Sequence, residues 1–153
     1  MRPPPADLPR ARRLRSPLLI ALWALLAFEA LGGLVLFTAR LVAGASPGEG
    51  LHVAGGLALT VCYAVYQWQH WRRVRPFRAR LDHGLGLIAA LAMALVNLSG
   101  MWLGLDWWRG RALPPAARYP TALSGVHNVA SMVVLSFVLA HLGAVLQRDR
   151  RAP

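Results

Sequence analysis

Residues 17–43 read PLLIALWALLAFEALGGLVLFTARLVA, and Glu29 is the only charged residue between Arg15 and Arg40. A helix needs about 20 apolar residues to cross about 30 Å of hydrocarbon. Backbone groups in lipid have to be hydrogen-bonded within their own segment, which favours a helix over a strand. The stretch therefore predicts a transmembrane helix that begins with Pro17, at a position where proline is tolerated.

Three further stretches of the same character follow, at about residues 51–71, 83–105 and 122–147. Charged residues are only 15% of the 153 residues, against about a quarter in an ordinary soluble domain. This composition excludes a soluble globular protein, and the chain lacks the alternation expected of a membrane barrel. We therefore predict an all-α fold, an integral membrane four-helix bundle with up-down-up-down order whose transmembrane domain covers residues 17–147.

Charge is concentrated beside the apolar stretches. The formal net charge is +11, and all 17 basic residues are arginine. Thirteen arginines fall in the tail 1–16, in the loop between spans two and three, or in the tail 148–153, and four fall on the other side. By the positive-inside rule, both termini are expected in the cytoplasm, with 1–16 a disordered tail. Arginines placed beside the spans, rather than on them, also exclude nucleic acid as a partner.

Five histidines lie within or next to the predicted spans. They are His52, His70, His83, His127 and His141. An imidazole inside a bilayer is costly, so histidines there are functional candidates by default. At about 100° per residue, the histidines of span two are five turns apart and those of span four are nearly four turns apart, so each pair shares one helix face.

Spans two and four run in the same direction, so His52 and His127 lie at the outer end and His70 and His141 at the inner end. Facing imidazoles are what a six-coordinate haem requires, with one axial nitrogen on each side of the ring. We expect His52 with His127 to bind the iron of an outer haem, and His70 with His141 that of an inner one. Taken singly, any one of these histidines is more often a packing or interfacial residue than a ligand; the expectation depends on the joint arrangement of the two pairs.

A flat haem ring needs small residues where the helices pass it. Three parts of the chain supply such residues as expected points of close approach. They are Gly55 and Gly56 in span two, Gly100 in span three, and Gly125 and Gly143 in span four.

The layout resembles the four-helix, two-haem cytochrome b superfamily, which includes the cytochrome subunits of formate dehydrogenases and nickel–iron hydrogenases and small bacterial cytochromes. The resemblance covers all four spans. It rests on His52-Val-Ala-Gly-Gly56, Gln69-His70-Trp71, Asn97-Leu-Ser-Gly100, His127 and His141-Leu-Gly143. It implies b-type haems and electron transfer across a bacterial inner membrane. The expected partners are the lipid bilayer, a membrane quinone and a periplasmic or membrane-attached redox protein.

The chain departs from the family at the inner ligand of span two. That ligand often comes about fourteen residues after the outer one, with a histidine–tryptophan pair four residues further on. Here Tyr66 occupies the first position, and His70-Trp71 matches the second. Three outcomes are open: His70 binds from slightly deeper, His83 replaces it, or the inner haem is absent. We expect His70, because an ordinary helix tilt of about 20° absorbs part of the difference in depth.

Two kinds of polar residue in the spans have open roles. Glu29, near the middle of span one, is either a proton relay or a neutral acid that hydrogen-bonds a neighbouring helix. Four arginines on the outer side could each pair with a haem propionate or reach the lipid headgroups. They are Arg40, Arg109, Arg111 and Arg118.

The chain carries no motif of hydrolytic or phosphate chemistry, and we assign it no catalytic residue. It is expected to be an electron carrier or the cytochrome subunit of an oxidoreductase complex. The competing hypothesis is a non-redox scaffold, sensor or permease subunit whose histidines bind zinc or sense pH. Carboxylates or cysteines near the histidines would favour it, and we weigh Glu29 and Asp82 as too few to do so.

Overall fold

The computed structural model describes residues 16–74, 81–110, 112–113 and 121–151. Four helices account for nearly all of them: α1 (Pro17–Ala43), α2 (Glu49–Val74), α3 (Leu81–Gly110) and α4 (Thr121–Arg151). No residue in these ranges belongs to a strand. The predicted all-α class and the four helices are therefore confirmed. Most of the predicted N-terminal tail, most of the arginine loop, Arg111 and Arg118 lie outside the described residues.

The turn between α1 and α2 is short because glycine permits it. Gly44 ends α1 with φ 62°, in the left-handed region, and its N–H donates to the carbonyl of Arg40 at 3.1 Å. Gly48 has φ 73° just before α2 begins. The Arg40 guanidinium closes the turn, since it lies 2.8 Å from a carboxylate oxygen of Glu49 and 3.0 Å from Oγ of Ser46. These contacts hold α1 and α2 as an antiparallel hairpin.

Three helices are long and apolar enough to cross a membrane: Pro17–Ala43, His83–Gly110 and Ala122–Gln147. The remaining described helix, α2, is long enough at 26 residues but less apolar than these three. It nevertheless exposes large apolar side chains, with Leu51 68% and Val61 65% exposed. The chain thus has the helices of a multi-pass membrane protein. That α2 forms a fourth span, and that both termini are cytoplasmic, stay predictions.

The helices pack against one another in chain order. Contacts are most extensive between α3 and α4, followed by those of α1 with α2 and of α2 with α3, and α2 and α4 are not a closely packed pair. The buried apolar residues are few: Leu22, Leu59, Ala89, Met93, Ala130 and Val134. No large side chain in the described part of the chain is completely buried. The histidines of α2 and α4 therefore meet in a bundle that buries few side chains completely from solvent.

Candidate site formed by two facing histidine pairs

The four predicted site histidines meet in two pairs across the bundle. The first pair joins His52 of α2 to His127 of α4, with ring centroids 6.4 Å apart and ring planes at 82°. The second pair joins His70 to His141, with the same centroid separation of 6.4 Å and planes at 89°. The structure thus brings together the residues that helical periodicity puts on facing sides.

The centroid separation can be compared with the requirement of metal binding. A metal–imidazole bond is about 2 Å long and the ligating nitrogen lies about 1 Å from the ring centroid, so two imidazoles on opposite sides of one metal have centroids about 6 Å apart. Both pairs meet this distance. The separation is therefore compatible with one metal between the imidazoles of each pair.

Glycines of neighbouring helices flank three of the four imidazoles. A Cβ added at Gly100 would lie 3.0 Å from Cε1 of His127, and one added at Gly86 would lie 3.0 Å from Cε1 of His141. A Cβ at Gly33 would lie 3.3 Å from Cε1 of His52. These distances are shorter than ordinary carbon contacts, so a side chain at these positions would displace the ring.

Gly86 and Gly100 are fourteen residues apart on α3, as are His127 and His141 on the antiparallel α4. The sequence analysis identified Gly100 but missed Gly86 and Gly33, and this matched spacing is the signal that could have revealed Gly86. The prediction for Gly125 and Gly143 was wrong, because a Cβ on either would meet nothing within 4 Å. Each lies two residues from a histidine, about 200° around the helix, and so faces outward.

Ser99 fixes the hydrogen bonding of His127. Its side chain is buried, and its hydroxyl donates to the carbonyl of Leu95 at 2.7 Å or of Val96 at 3.1 Å. Oγ also lies 3.1 Å from Nδ1 of His127. Because the hydroxyl proton is engaged with a carbonyl, Oγ acts as acceptor toward Nδ1, which then carries the imidazole proton. That leaves the lone pair on Nε2, as metal binding through this nitrogen requires.

Glu29 approaches the other histidine of the first pair. Its Oε2 lies 2.8 Å from Nδ1 of His52, and the carboxylate is 10% exposed. The ring N–H does not point at that oxygen, and neither Nδ1 nor Oε1 has an aligned hydrogen-bond partner among the residues described. Gly55 and Gly56 make room for the carboxylate, since a Cβ at Gly55 would collide with Oε1. The contact predicted between Glu29 and a neighbouring helix is therefore made with a site histidine.

Tyr66 accompanies His70 in the second pair. The two rings stack with centroids 5.3 Å apart and planes at 16°, and the phenol oxygen lies 3.4 Å from Nδ1 of His70. His83, the alternative ligand, lies instead beside Trp71, with centroids 5.9 Å apart. The residue that faces His141 at the distance described above is thus His70.

The structure describes two of the four arginines predicted on the outer side. Arg40 contacts Glu49 and Ser46 in the α1–α2 turn, so its guanidinium braces that turn. Arg109 lies in the last turn of α3. Within the described ranges, no group of three or more His, Cys, Asp or Glu side chains could hold a metal ion. A metal between paired histidines would therefore need other ligands, such as those of a porphyrin.

The chain matches no protein-family model, no curated protein and no solved structure. The resemblance to cytochromes b therefore stays a prediction, and the chemistry of the site has to be inferred from the two histidine pairs themselves.

Proposed function

We propose that this protein is a b-type cytochrome that transfers electrons across a membrane. In this proposal, His52 and His127 hold one haem b, and His70 and His141 hold a second. The observation that carries it is the recurrence of one imidazole geometry, a centroid separation of 6.4 Å, at two places in one bundle. A bound haem supplies reversible one-electron chemistry at iron.

The chain itself contributes ligands, their orientation and an apolar shell. Ser99 holds the proton on Nδ1 of His127, so that Nε2 is available to the iron. Gly86 and Gly100 leave the space that the imidazoles occupy. Outward leucine and valine side chains keep the bundle in lipid and water away from its centre. These roles belong to an electron carrier, which needs no acid–base or nucleophilic residue.

The placement of the two pairs supports transfer along the bundle axis. His52 and His70 are eighteen residues apart on α2, which corresponds to about 27 Å along a straight helix. Two carriers near opposite ends of a bundle that spans a bilayer could pass electrons from one side to the other. We propose a membrane quinone and a periplasmic or membrane-attached redox protein as the exchange partners, in a bacterial inner membrane with both termini cytoplasmic.

The test is a reduced-minus-oxidised absorption spectrum of the protein purified from haem-supplied cells, together with its ratio of haem to protein. We expect b-type bands and a ratio near two. His127→Ala and His141→Ala should each remove one haem, and the double variant, which controls for loosely adsorbed haem, should remove both. A featureless spectrum of the wild-type protein, or bands that persist in the double variant, would overturn the proposal.

Zinc binding is the competing reading of the same histidines, and it is less well supported. Zinc sites use three or four protein ligands, and the described residues offer no cluster of three. Metal analysis of the same purified sample separates the two readings. Stoichiometric zinc without haem would favour the non-redox alternative.

A further inference from the structure

Glu29 is a carboxylate in the middle of the apolar helix α1, a position where an unpaired charge is costly. Its side chain is 10% exposed and its Oε2 lies 2.8 Å from Nδ1 of His52. Oε1 is buried without a hydrogen-bond partner among the described residues. A residue this costly to bury, next to a site histidine, needs an explanation beyond packing.

The neighbouring helix is shaped around this carboxylate. A Cβ at Gly55 would collide with Oε1 and lie 2.9 Å from the ring of Phe28, and one at Gly56 would lie 3.6 Å from Oε2. These glycines follow His52 by three and four residues, so they lie on the same face of α2. The space that they leave brings Glu29 to His52 rather than to lipid.

The nitrogen that Glu29 approaches decides what the contact can do. An imidazole that binds a metal through Nε2 carries its proton on Nδ1, and that N–H is usually satisfied by a carboxylate, a carbonyl or water. In His52 the oxygen at hydrogen-bond distance from Nδ1 belongs to Glu29. The N–H and the oxygen are not aligned, so a small rotation of the ring or the carboxylate is needed to complete the bond.

We infer that Glu29 is a positioning residue of the first pair, which accepts the Nδ1–H of His52 and so directs Nε2 toward His127. This inference rests on the proposed haem-binding function. A charge-assisted bond to a carboxylate is stronger than a bond to a neutral acceptor. Glu29 therefore has the counterpart role to Ser99, which sets the proton of the opposite imidazole.

The test measures how fast the holoprotein in detergent loses haem to an excess of apomyoglobin. In a His141→Ala background only the first pair is loaded, so the rate reports on that site alone. There we expect Glu29→Ala to speed haem loss about 10- to 100-fold. Glu29→Gln keeps an acceptor oxygen at the same distance from the backbone, so its rate of haem loss should stay within about fivefold of the parent rate. The electron paramagnetic resonance signal of the ferric haem should shift in Glu29→Ala and return toward the parent in Glu29→Gln.

The matched control is the same Glu29→Ala change in a His127→Ala background, where only the second pair is loaded. Its rate of haem loss should not change. The inference would be overturned if Glu29→Ala and its parent lost haem from the first pair at equal rates. Faster haem loss from the second pair would also overturn it, because this would indicate general loosening of the bundle. If Glu29→Ala does not accumulate in membranes, Glu29→Asp replaces it, because this change withdraws the acceptor oxygen by one methylene. Glu29→Asp should accelerate haem loss from the first pair. An unchanged rate of loss would overturn the inference.

These outcomes are distinct from a failure of the proposed function. A wild-type protein without b-type bands contradicts the cytochrome proposal itself. A wild-type protein with two haems whose first site is insensitive to Glu29 contradicts only the role of Glu29.

Discussion

The two histidine pairs are alike in their spacing and different in their surroundings. Both have ring centroids 6.4 Å apart and ring planes nearly perpendicular, and in both a glycine of α3 flanks the imidazole from α4. At the first pair, however, Ser99 and Glu29 lie beside the Nδ1 atoms, whereas at the second pair Tyr66 stacks on His70. Helix geometry thus sets the distance between the rings, and individual side chains set their hydrogen bonding.

This difference matters because hydrogen bonds to axial histidines are among the means by which a protein tunes a haem. Two sites with equal spacing but unequal neighbours would hold the same cofactor with unequal strength. The following substitutions test that comparison, starting with the largest expected effect.

Replacement of His70 should separate the two candidate ligands of the second site. We expect His70→Ala to lower the ratio of haem to protein from about two to about one, because a bis-histidine site loses an axial ligand. His83→Ala is the matched control and should keep both haems, since His83 lies beside Trp71. Haem and protein assays on the purified variants check this. If His83→Ala lost one haem and His70→Ala kept both, His83 would be the ligand of the second site, and the two histidine pairs would not be equivalent.

Added methyl groups should crowd both sites to a similar degree. Gly86→Ala and Gly100→Ala each put a Cβ 3.0 Å from a ring carbon of a site histidine. Such overpacking costs up to about 3 kcal/mol, which corresponds to roughly 100-fold weaker haem retention at the affected site. Haem transfer to apomyoglobin measures it.

Two other glycines provide the controls for this crowding. Gly84→Ala and Gly143→Ala lie close by in sequence, but their added Cβ atoms would meet nothing within 4 Å. Haem retention should be normal in both. If they weakened haem binding as much as the flanking positions do, the effect would belong to helix stability and not to the sites.

Loss of the Ser99 hydroxyl should weaken only the first site. In Ser99→Ala the Nδ1–H of His127 loses the acceptor at 3.1 Å, and the loss of this hydrogen bond costs about 1–1.5 kcal/mol. We expect haem loss from the first site to accelerate roughly 5- to 12-fold. Ser136→Ala removes an exposed hydroxyl that donates to the carbonyl of Met132 in its own helix, so it should behave as wild type. Equal acceleration at both sites would contradict the assignment.

Removal of the Tyr66 hydroxyl should have the smallest effect. Its oxygen lies 3.4 Å from Nδ1 of His70, which is long for a hydrogen bond, while Tyr66→Phe preserves the stacked ring. We expect a change of about twofold in haem loss from the second site, close to 0.5 kcal/mol. If Tyr66→Phe accelerated haem loss as much as Ser99→Ala does, hydrogen bonding to the histidines would stabilise the two sites to the same degree.

The sequence was sufficient for the helices and for the pairing of the histidines. Stretches with few charges located the four helices, and the 18- and 14-residue spacings put each histidine couple on one face. Four long helices joined in sequence can pack side by side in only a few arrangements, so residues at the same end of α2 and α4 come together. Predicted boundaries such as 51–71 fell short of the observed Glu49–Val74, because polar residues extend a helix beyond its apolar part.

The contacts around the rings could not be predicted from periodicity. The contact of Glu29 with His52 depends on how far α1 is shifted and rotated against α2, and that of Ser99 with His127 depends on α3 against α4. Periodicity assigns a residue to a face but gives no depth relative to the next helix. Gly125 and Gly143 were expected to be points of close approach, but each lies about 200° around α4 from the nearest site histidine and faces outward.

The modest hydropathy of α2 has a consequence for biogenesis. Both α2 histidines of the site lie on the one described helix that is not among the three apolar enough to cross a membrane. Its short turn to α1, braced by Arg40 and Glu49, would let the two helices enter the bilayer together as a hairpin. Polar groups such as Glu29 and His52 could then shield one another during integration. The order in which a newly made chain reaches the lipid would thereby be linked to the contact that prepares its first site.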